Sequence, residues 1–545
     1  MGILSGVLSS FVIALINERV SSIDDPVKMI AVIFISVACL SLIAELVSRL
    51  ALLRLSTKAV RKMRLKLCDQ ILNASLRNVE KQGSGKLMAA LTEDIHAITE
   101  ALVQFPVQCI HLAIVVGCFS YLYYLSWELA TTFLVIFALG VFIYDLIARR
   151  TRPLMEQGRT KWDELITHYN GLIDGNKELK IHAARRHGFS EKELKPTALE
   201  MMELSWRWNK IFSYAESSGQ MIYYILIGFA LFVAPFYGHF EASVLTGFVL
   251  MVLFMSSPIS SIVGSFPTFH RADISLERIQ ELGLSFDEDD EKDIDAIDVA
   301  PTDKGEAFTG LAMKGFSYQY ESDTKEEEGF TLGPLNFEMK AGELIFVVGG
   351  NGSGKSSFAR LLAGLYAQDK GQLILNGKEI TPTEKDEYRQ NFSVVFSDYY
   401  LFKTFYGMMT DELQQKSEFY LEKLQLSNKV SLLEDSLSTV DLSQGQRKRL
   451  ALLTAFIEDR DIFLFDEWAA DQDPEFKAFF YYEILPELKA KGKTVVVISH
   501  DDHYFEVADR VVRFSEGKII EDVAVEDFKI TFSHRMNSVT EVTTS

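Results

Sequence analysis

Six stretches of almost unbroken apolar residues, 3–16, 27–47, 104–124, 127–147, 220–237 and 241–262, dominate the first half of this 545-residue chain. Most approach the roughly 20 residues that an α-helix needs to cross a hydrocarbon layer. The first spans only 14 residues, as a truncated or misplaced start would leave it. A large buried helical core would also be apolar, but globular helices keep one polar face. "MIAVIFISVACLSLIAEL" and "ATTFLVIFALGVFIYDLI" have none. Six transmembrane helices are therefore expected.

Their orientation follows from the basic residues. The loop 48–102 carries Arg49, Arg54, Lys58, Arg61, Lys62, Arg64 and Lys66, and the loop 148–215 carries Arg149, Arg150 and Arg152. The other connections, "NERVSSIDDP", "LSW" and "GHFEAS", are short and nearly free of Lys and Arg. The positive-inside rule puts both long loops, the N-terminus and everything after residue 265 in the cytoplasm. Tyr121, Tyr123, Tyr124 and Trp127 then form an aromatic belt at the outer face. The long loops are rich in helix formers, so the spanning helices should continue below the bilayer. Glu45 with Arg49 and Asp145 with Arg149 are i,i+4 pairs near the inner ends of two spans. They read as interfacial salt bridges, or else as groups lining a polar cavity.

No cleavable leader is evident before the first apolar run. Cys39, Cys68, Cys109 and Cys118 show no metal spacing and read as reduced structural thiols. A net charge of −20 argues against a nucleic-acid partner. The stretch "HRADISLERIQELGLSFDEDDEKDIDAIDVAPTDKG" is first helical and then strongly acidic. Such a charge run is a solvated connector. It divides a membrane part, 1–269, from a linker, 270–305, and a second domain, 306–545.

That second domain opens its chemistry with "ELIFVVGGNGSGKSSFARLLAGL", a strand, a glycine-rich loop and a helix. Gly349, Gly354, Lys355 and Ser356 spell G-x-x-x-x-G-K-S. Backbone N–H groups from Gly349, Asn351, Gly352, Ser353, Gly354 and Ser357 can curl around the phosphates of ATP. Lys355 reaches the β/γ-phosphates and Ser356 offers its hydroxyl to Mg²⁺. "DIFLFDEWAADQD" is a buried strand ending in two carboxylates. Asp466 suits Mg²⁺, and Glu467 is placed to polarise an attacking water. "TVVVISH" follows, bringing His500 to a strand end near the γ-phosphate. An aromatic upstream of the loop should stack on adenine. "MKGFSYQYE" offers Tyr318 and Tyr320, and the Phe-x-Tyr spacing favours Tyr318.

The stretch "TVDLSQGQRKRLALL" completes the pattern. A phosphate loop, then L-S-x-G-Q at Leu442, Ser443, Gln444, Gly445 and Gln446, then Asp-Glu and a strand-end His resembles the nucleotide-binding domain of an ABC transporter. Gln444 stands where that family commonly has Gly. In the family two such domains close head to tail, which implies that Ser443, Gly445 and Gln446 serve the ATP held by a partner, and that this chain works as a homodimer. Arg447, Lys448 and Arg449 are read as solvating the helix. Asp473 matches the aspartate of the loop that helps to join the two domains. Ser397, in "VVFSDYYLF", stands where the family has Gln, with Asp398 beside it as a possible substitute at the metal. "SGKLMAALTEDI" and "GLIDGNKELKIH" sit where coupling helices would dock.

Six spans followed by one such domain resemble a half-transporter: a helical membrane domain of the type IV ABC exporter fold plus an α/β P-loop NTPase domain. "FDEWAADQDPEF" and "ILPELKAKGKTVVVISHDDHYFEVADR" are similar to one branch, the bacterial cyclic-peptide and siderophore-peptide exporters, akin to those for pyoverdine, syringomycin and a lasso-peptide microcin. That branch also tends to lack the Gln replaced by Ser397. The resemblance implies ATP-driven outward movement of a modified peptide across the bacterial cytoplasmic membrane. Its rivals are lipid or drug export, siderophore import, and an ATP-gated membrane regulator that transports nothing.

Overall fold

The computed structural model describes residues 2–21, 27–238, 240–282, 307–320, 329–406 and 411–528. The chain divides into two compact units. One comprises Met1–Asn73 and Gln82–Ile294, the other Ala74–Lys81 and Asp295–Ser545.

The first unit is helical. Its long elements are Gly2–Ser21, Val27–Asn73, Ile95–Leu125, Trp127–Ala148, Arg152–Asp174, Lys195–Gly228 and Ala242–Glu281. Among the described residues, five helices are long and apolar enough to cross a membrane. The first expected span, 3–16, does form a helix but is not one of these five. Small and polar residues along it serve packing. Ser9 Oγ lies 2.9 Å from Ser41 Oγ, and Ser10 Oγ donates to Gly6 O at 3.0 Å. A Cβ on Gly6 would meet Ala113 at 2.6 Å, and one on Gly117 would meet Ser10 Oγ at 2.4 Å. Close backbone approach through small residues is how helices associate where apolar burial distinguishes nothing from lipid.

Val27–Asn73 has 47 residues, about 70 Å at the usual helical rise, against about 30 Å of hydrocarbon. The spanning helices do continue past a bilayer's depth. Ser126 caps Trp127–Ala148 by accepting from Leu129 N at 3.3 Å. Beside it Tyr123, Tyr124 and Trp127 are exposed. The Asp145–Arg149 pair forms at 2.7 Å on an exposed face, and the Glu45–Arg49 pair forms as well, so both behave as local ion pairs. Ala242–Glu281 runs straight through residue 269, where the sequence suggests that the membrane part ends. The remainder of the acidic connector, 283–305, lies outside the described residues. The two stretches read as coupling helices belong to the first unit, and Ala74–Lys81, just upstream of one of them, belongs to the second.

The second unit holds twelve strands among its described residues: β1 (Gly310–Gln319), β2 (Thr331–Lys340), β3 (Leu344–Gly349), β4 (Lys370–Leu375), β5 (Lys378–Glu379), β6 (Phe392–Val395), β7 (Leu432–Leu433), β8 (Ser436–Leu437), β9 (Ile462–Asp466), β10 (Thr494–Ile498), β11 (Arg510–Ser515) and β12 (Lys518–Ala524). One sheet is antiparallel in the order β2-β1-β4-β5. The larger runs β12-β11-β3-β10-β9-β6 and is parallel except for β12. β9 and β10 are buried at every position, as continuous apolar runs covered on both faces require. The parallel strands β3, β9 and β10 release Gly349, Asp466 and Ser499-His500 at the same carboxyl edge, where open α/β sheets place their ligands.

Glu458 ends the helix Gln444–Glu458. Burial pushes its carboxyl up to about 7, while Arg460 and Ser393 pull it the other way. The folded chain thus holds a proton that the unfolded chain has already released, so this group's contribution to stability falls as pH rises from about 4.5 through 7. Glu458→Gln should therefore stabilise the protein at pH 8, by up to about 2 kcal/mol after discounting for partial hydration, and not at pH 5. Thermal unfolding of parent and variant in nanodiscs at the two pH values measures this. An equal shift at both would contradict it.

Candidate functional site

The site is built where β3 gives way to the helix Lys355–Leu362. Gly349 leaves the strand at φ 154°, a conformation that favours glycine, and a Cβ there would meet Phe514 O at 2.5 Å. The loop is backed from below by Gly517 N, which donates to Ser353 O at 3.0 Å. Lys355 is 5% exposed and folds over the loop, its Nζ donating to Gly349 O and Gly350 O at 3.0 Å each. Burial lowers the pKa of that amine, with Glu467 and Asp466 opposing the shift. A phosphate arriving here would restore what burial takes from its charge.

Asp466 closes β9 at 2% exposure. Ser356 Oγ donates to its Oδ1 at 3.3 Å and Ser397 Oγ to its Oδ2 at 3.2 Å. Burial raises its pKa, the Ser356 hydrogen bond opposes this, and the neighbouring Glu467 adds to it. A buried carboxylate with two hydroxyls is an all-oxygen donor set of the kind Mg²⁺ takes. No cluster of three or more His, Cys, Asp or Glu suited to a metal exists among the described residues. An ion at Asp466 would thus need phosphate oxygens to complete its shell, and the residues fit a metal that arrives with a nucleotide.

Glu467 follows at φ 51°, ψ 32°, the left-handed region that a residue with a Cβ enters at a cost. Its Oε1 lies 3.1 Å from His500 Nε2. His500 sits on a loop braced by a buried network. Tyr481 OH is 2.7 Å from Ser499 Oγ and donates to Asp501 Oδ2 at 3.2 Å, and Lys477 Nζ donates to Asp501 Oδ1 at 3.1 Å.

Glu467 and the phosphate loop share one cleft of about 460 Å³, lined also by Asn351, Gly352, Ser353, Gly354, Lys355, Ser356 and Ser357. Two further lining residues are aromatic, Tyr320 and Phe330. Tyr318, the residue favoured for adenine, is not there. It is 2% exposed, stacked on Tyr366 at 4.8 Å between centroids, with the Arg77 guanidinium 5.1 Å away. Tyr318 and Tyr320 share strand parity, but Tyr318 still pairs with Leu332 inside β1 over the core. Tyr320 lies past the strand's end, its OH 2.7 Å from Ser357 Oγ. Phe330, which the sequence gives no reason to single out, reaches the cleft because its carbonyl accepts from Tyr320 N at 2.9 Å.

Ser443, Gly445 and Gln446 do not line this cleft. They open the helix Gln444–Glu458, where Ser443 and Gln446 form a capping box. Of the neighbouring cations Arg447 is exposed, but Lys448 and Arg449 are not solvating groups. Lys448 is 4% exposed. Arg449 donates to Asp473 Oδ2 at 2.6 Å and to Gln472 Oε1 at 3.0 Å, with its guanidinium 3.7 Å from the Phe476 ring centroid. Asp473 itself caps the helix Pro474–Phe479, accepting from Phe476 N at 2.9 Å. Asp398 does not approach the metal position. Arg360 Nη2 holds its Oδ2 at 2.8 Å, and Arg360 also lies 3.5 Å from Glu80. The residue facing Asp466 is Ser397.

Comparison with known proteins bears on the chain as a whole. Residues 332–470 match the family described as ABC transporter, and residues 1–255 match the ABC transporter transmembrane region. The chain is 34% identical over 529 residues to the ATP-binding protein SyrD of Pseudomonas syringae pv. syringae, covering 96% of this chain and 93% of that one. It is 24% identical to an ATP-dependent lipid A-core flippase of Idiomarina loihiensis (85% and 80% covered) and 25% identical to one of Haemophilus influenzae (91% and 84%). The structure of a bacterial Atm1-family ABC exporter with ATP bound superposes with a TM-score of 0.74 over 97% of this chain and 93% of that one. At 16% identity, that likeness concerns the fold alone.

The two tyrosines separate in a binding measurement. Base stacking on an aromatic ring is worth about 1–3 kcal/mol, so Tyr320→Ala should weaken nucleotide binding roughly 5- to 100-fold. Tyr318→Ala should chiefly lower the thermal midpoint, because it empties a stacked core position. Titration with a fluorescent ATP analogue decides the matter, and a larger affinity loss in a folded Tyr318→Ala protein would reverse the assignment.

Proposed function

This chain belongs to the ABC transporters, as a multi-pass membrane exporter that hydrolyses ATP, and on that premise we propose that it moves a modified or cyclic peptide outward across the bacterial cytoplasmic membrane as a homodimer. The ATPase reading rests on one observation above all: Ser356 and Ser397 converge on the buried Asp466, while Glu467, which lines the phosphate-loop cleft, meets His500. The cargo reading is supported by the resemblance of "FDEWAADQDPEF" and its neighbours to the peptide-exporting branch. The relation to SyrD is also nearer than that to the flippases, 34% against 24–25%.

In this reading the loop N–H groups and Lys355 hold the β- and γ-phosphates, and Tyr320 with Phe330 receives the base. Ser356, Asp466 and Ser397 would hold Mg²⁺, which neutralises phosphate charge when bound. Glu467 orients and deprotonates the attacking water, and His500 steadies the Glu467 carboxylate toward it. Ser443, Gly445 and Gln446 lie outside this cleft in their own chain, which fits a role at the γ-phosphate of a second copy. Binding of two nucleotides would then draw two such domains together and bias the membrane helices outward, and hydrolysis would release them.

Glu467→Gln should leave ATP binding intact and cut turnover at least ~100-fold, the usual scale for losing a general base. Lys355→Ala should weaken binding itself. Turnover and nucleotide affinity measured in nanodiscs distinguish these, and near-parental hydrolysis by Glu467→Gln would remove the proposed role.

The flippase relatives support a second cargo, a lipid. Inside-out membrane vesicles separate the two. We expect ATP-dependent accumulation of a labelled cyclic peptide, abolished by Glu467→Gln, and no movement of a fluorescent lipid between leaflets. Lipid movement without peptide accumulation would favour the second reading instead.

A further inference from the structure

The helix that begins at Gln444 carries a lysine where its sequence gives no reason for a buried charge. Lys448 Nζ donates to the backbone oxygen of Glu467 at 3.2 Å and pairs with Asp471 Oδ2 at 2.7 Å. Gln444, one turn earlier on the same face, donates to that same Asp471 oxygen at 3.2 Å. In the reverse direction, Trp468 Nε1 donates to Lys448 O at 2.8 Å. Glu467 N in turn donates to Ile498 O at 3.0 Å.

These bonds surround one strained residue. A left-handed conformation costs a residue with a Cβ roughly 1–2 kcal/mol and persists only where its surroundings over-determine it. Glu467 is held through its N–H by β10 and through its carbonyl by Lys448, with Trp468 pinned to the same lysine. In the relaxed right-handed conformation the Glu467 side chain would leave along a different direction from the Asp466 that precedes it.

We propose that Lys448 is a positioning residue for ATP hydrolysis, a buried amine that fixes the backbone of Glu467 in its left-handed turn and so aims the carboxylate at the cleft and at His500. The inference rests on the reading of Glu467 as the general base. Asp471 and Gln444 keep the amine in place. Lys448 touches neither nucleotide nor cleft, so its effect reaches the reaction only through Glu467.

The test is steady-state ATPase of the full chain in nanodiscs. Lys448→Met should lower kcat about 10- to 100-fold while KM for ATP stays within twofold. Lys448→Gln, which keeps a donor for the Glu467 carbonyl but not the charge, should recover most of that loss. In a Glu467→Gln background, Lys448→Met should change the residual rate less than twofold, because the carboxylate it aims is already gone. Parental kcat in Lys448→Met would overturn the proposal, as would an undiminished loss in the Glu467→Gln background. If Lys448→Met does not fold, Lys448→Ala and Asp471→Ala carry the test; each should lower kcat severalfold at unchanged KM, and unchanged kcat in both overturns it equally. Glu467→Gln assayed alone reports on the base itself. Parental turnover there would remove the base, and the lysine's role with it.

Discussion

A single carboxylate, 2% exposed at the end of an entirely buried strand, organises the nucleotide-binding unit. Burial of an ionisable group without partners is prohibitive. The two serines that reach Asp466 come from elements far apart in sequence, one from the phosphate loop and one from the segment after β6. Their convergence requires the strand order in which β10 lies between β3 and β9 with β6 beyond. The sheet's topology and the site's chemistry are thus the same fact seen at two scales. Once Asp466 is placed there, the next residue must turn sharply to clear the sheet, and that turn is where Glu467 acquires its unusual backbone.

Much of this was legible beforehand because it is written in contiguous strings. The phosphate loop, the Asp466-Glu467 pair and His500 each follow an apolar strand directly, so their meeting at one sheet edge could be read from order alone. What escaped reading depends on where a surface ends. Tyr318 and Tyr320 have the same parity, and only the end of β1 decides which lines the cleft. Ser397 and Asp398 are neighbours, yet a remote guanidinium, Arg360, takes the acid away. Lys448 and Arg449 look like solvent-facing cations because no local pattern reveals that Asp471 and Asp473, from another element, fold onto them.

The membrane unit divides in the same way. Apolar runs announced the long helices of the membrane unit, since hydropathy is a sum over many residues. Pairings between helices were silent. They rest on single small residues such as Gly6, which faces Ala113, and Gly140, where a Cβ would meet the Ile222 side chain at 2.1 Å. The serines of Gly2–Ser21 are used in the same kind of packing, against Ser41 and within the helix's own turn.

The capping box at Ser443 has a consequence for how easily two nucleotide-bound copies could separate. Ser443 N already donates to Gln446 Oε1 at 3.4 Å, and the serine side chain accepts from the helix's third residue. A phosphate oxygen brought to this turn by another copy would replace Gln446 Oε1 at the Ser443 N–H rather than add to it, while the serine hydroxyl, which only accepts within the box, keeps its proton to donate. Exchange of one hydrogen bond for another changes free energy by little compared with making one from unsatisfied groups. Such a contact can be specific in geometry yet shallow in energy. In the proposed dimer, that would be a grip suited to being released on every turnover.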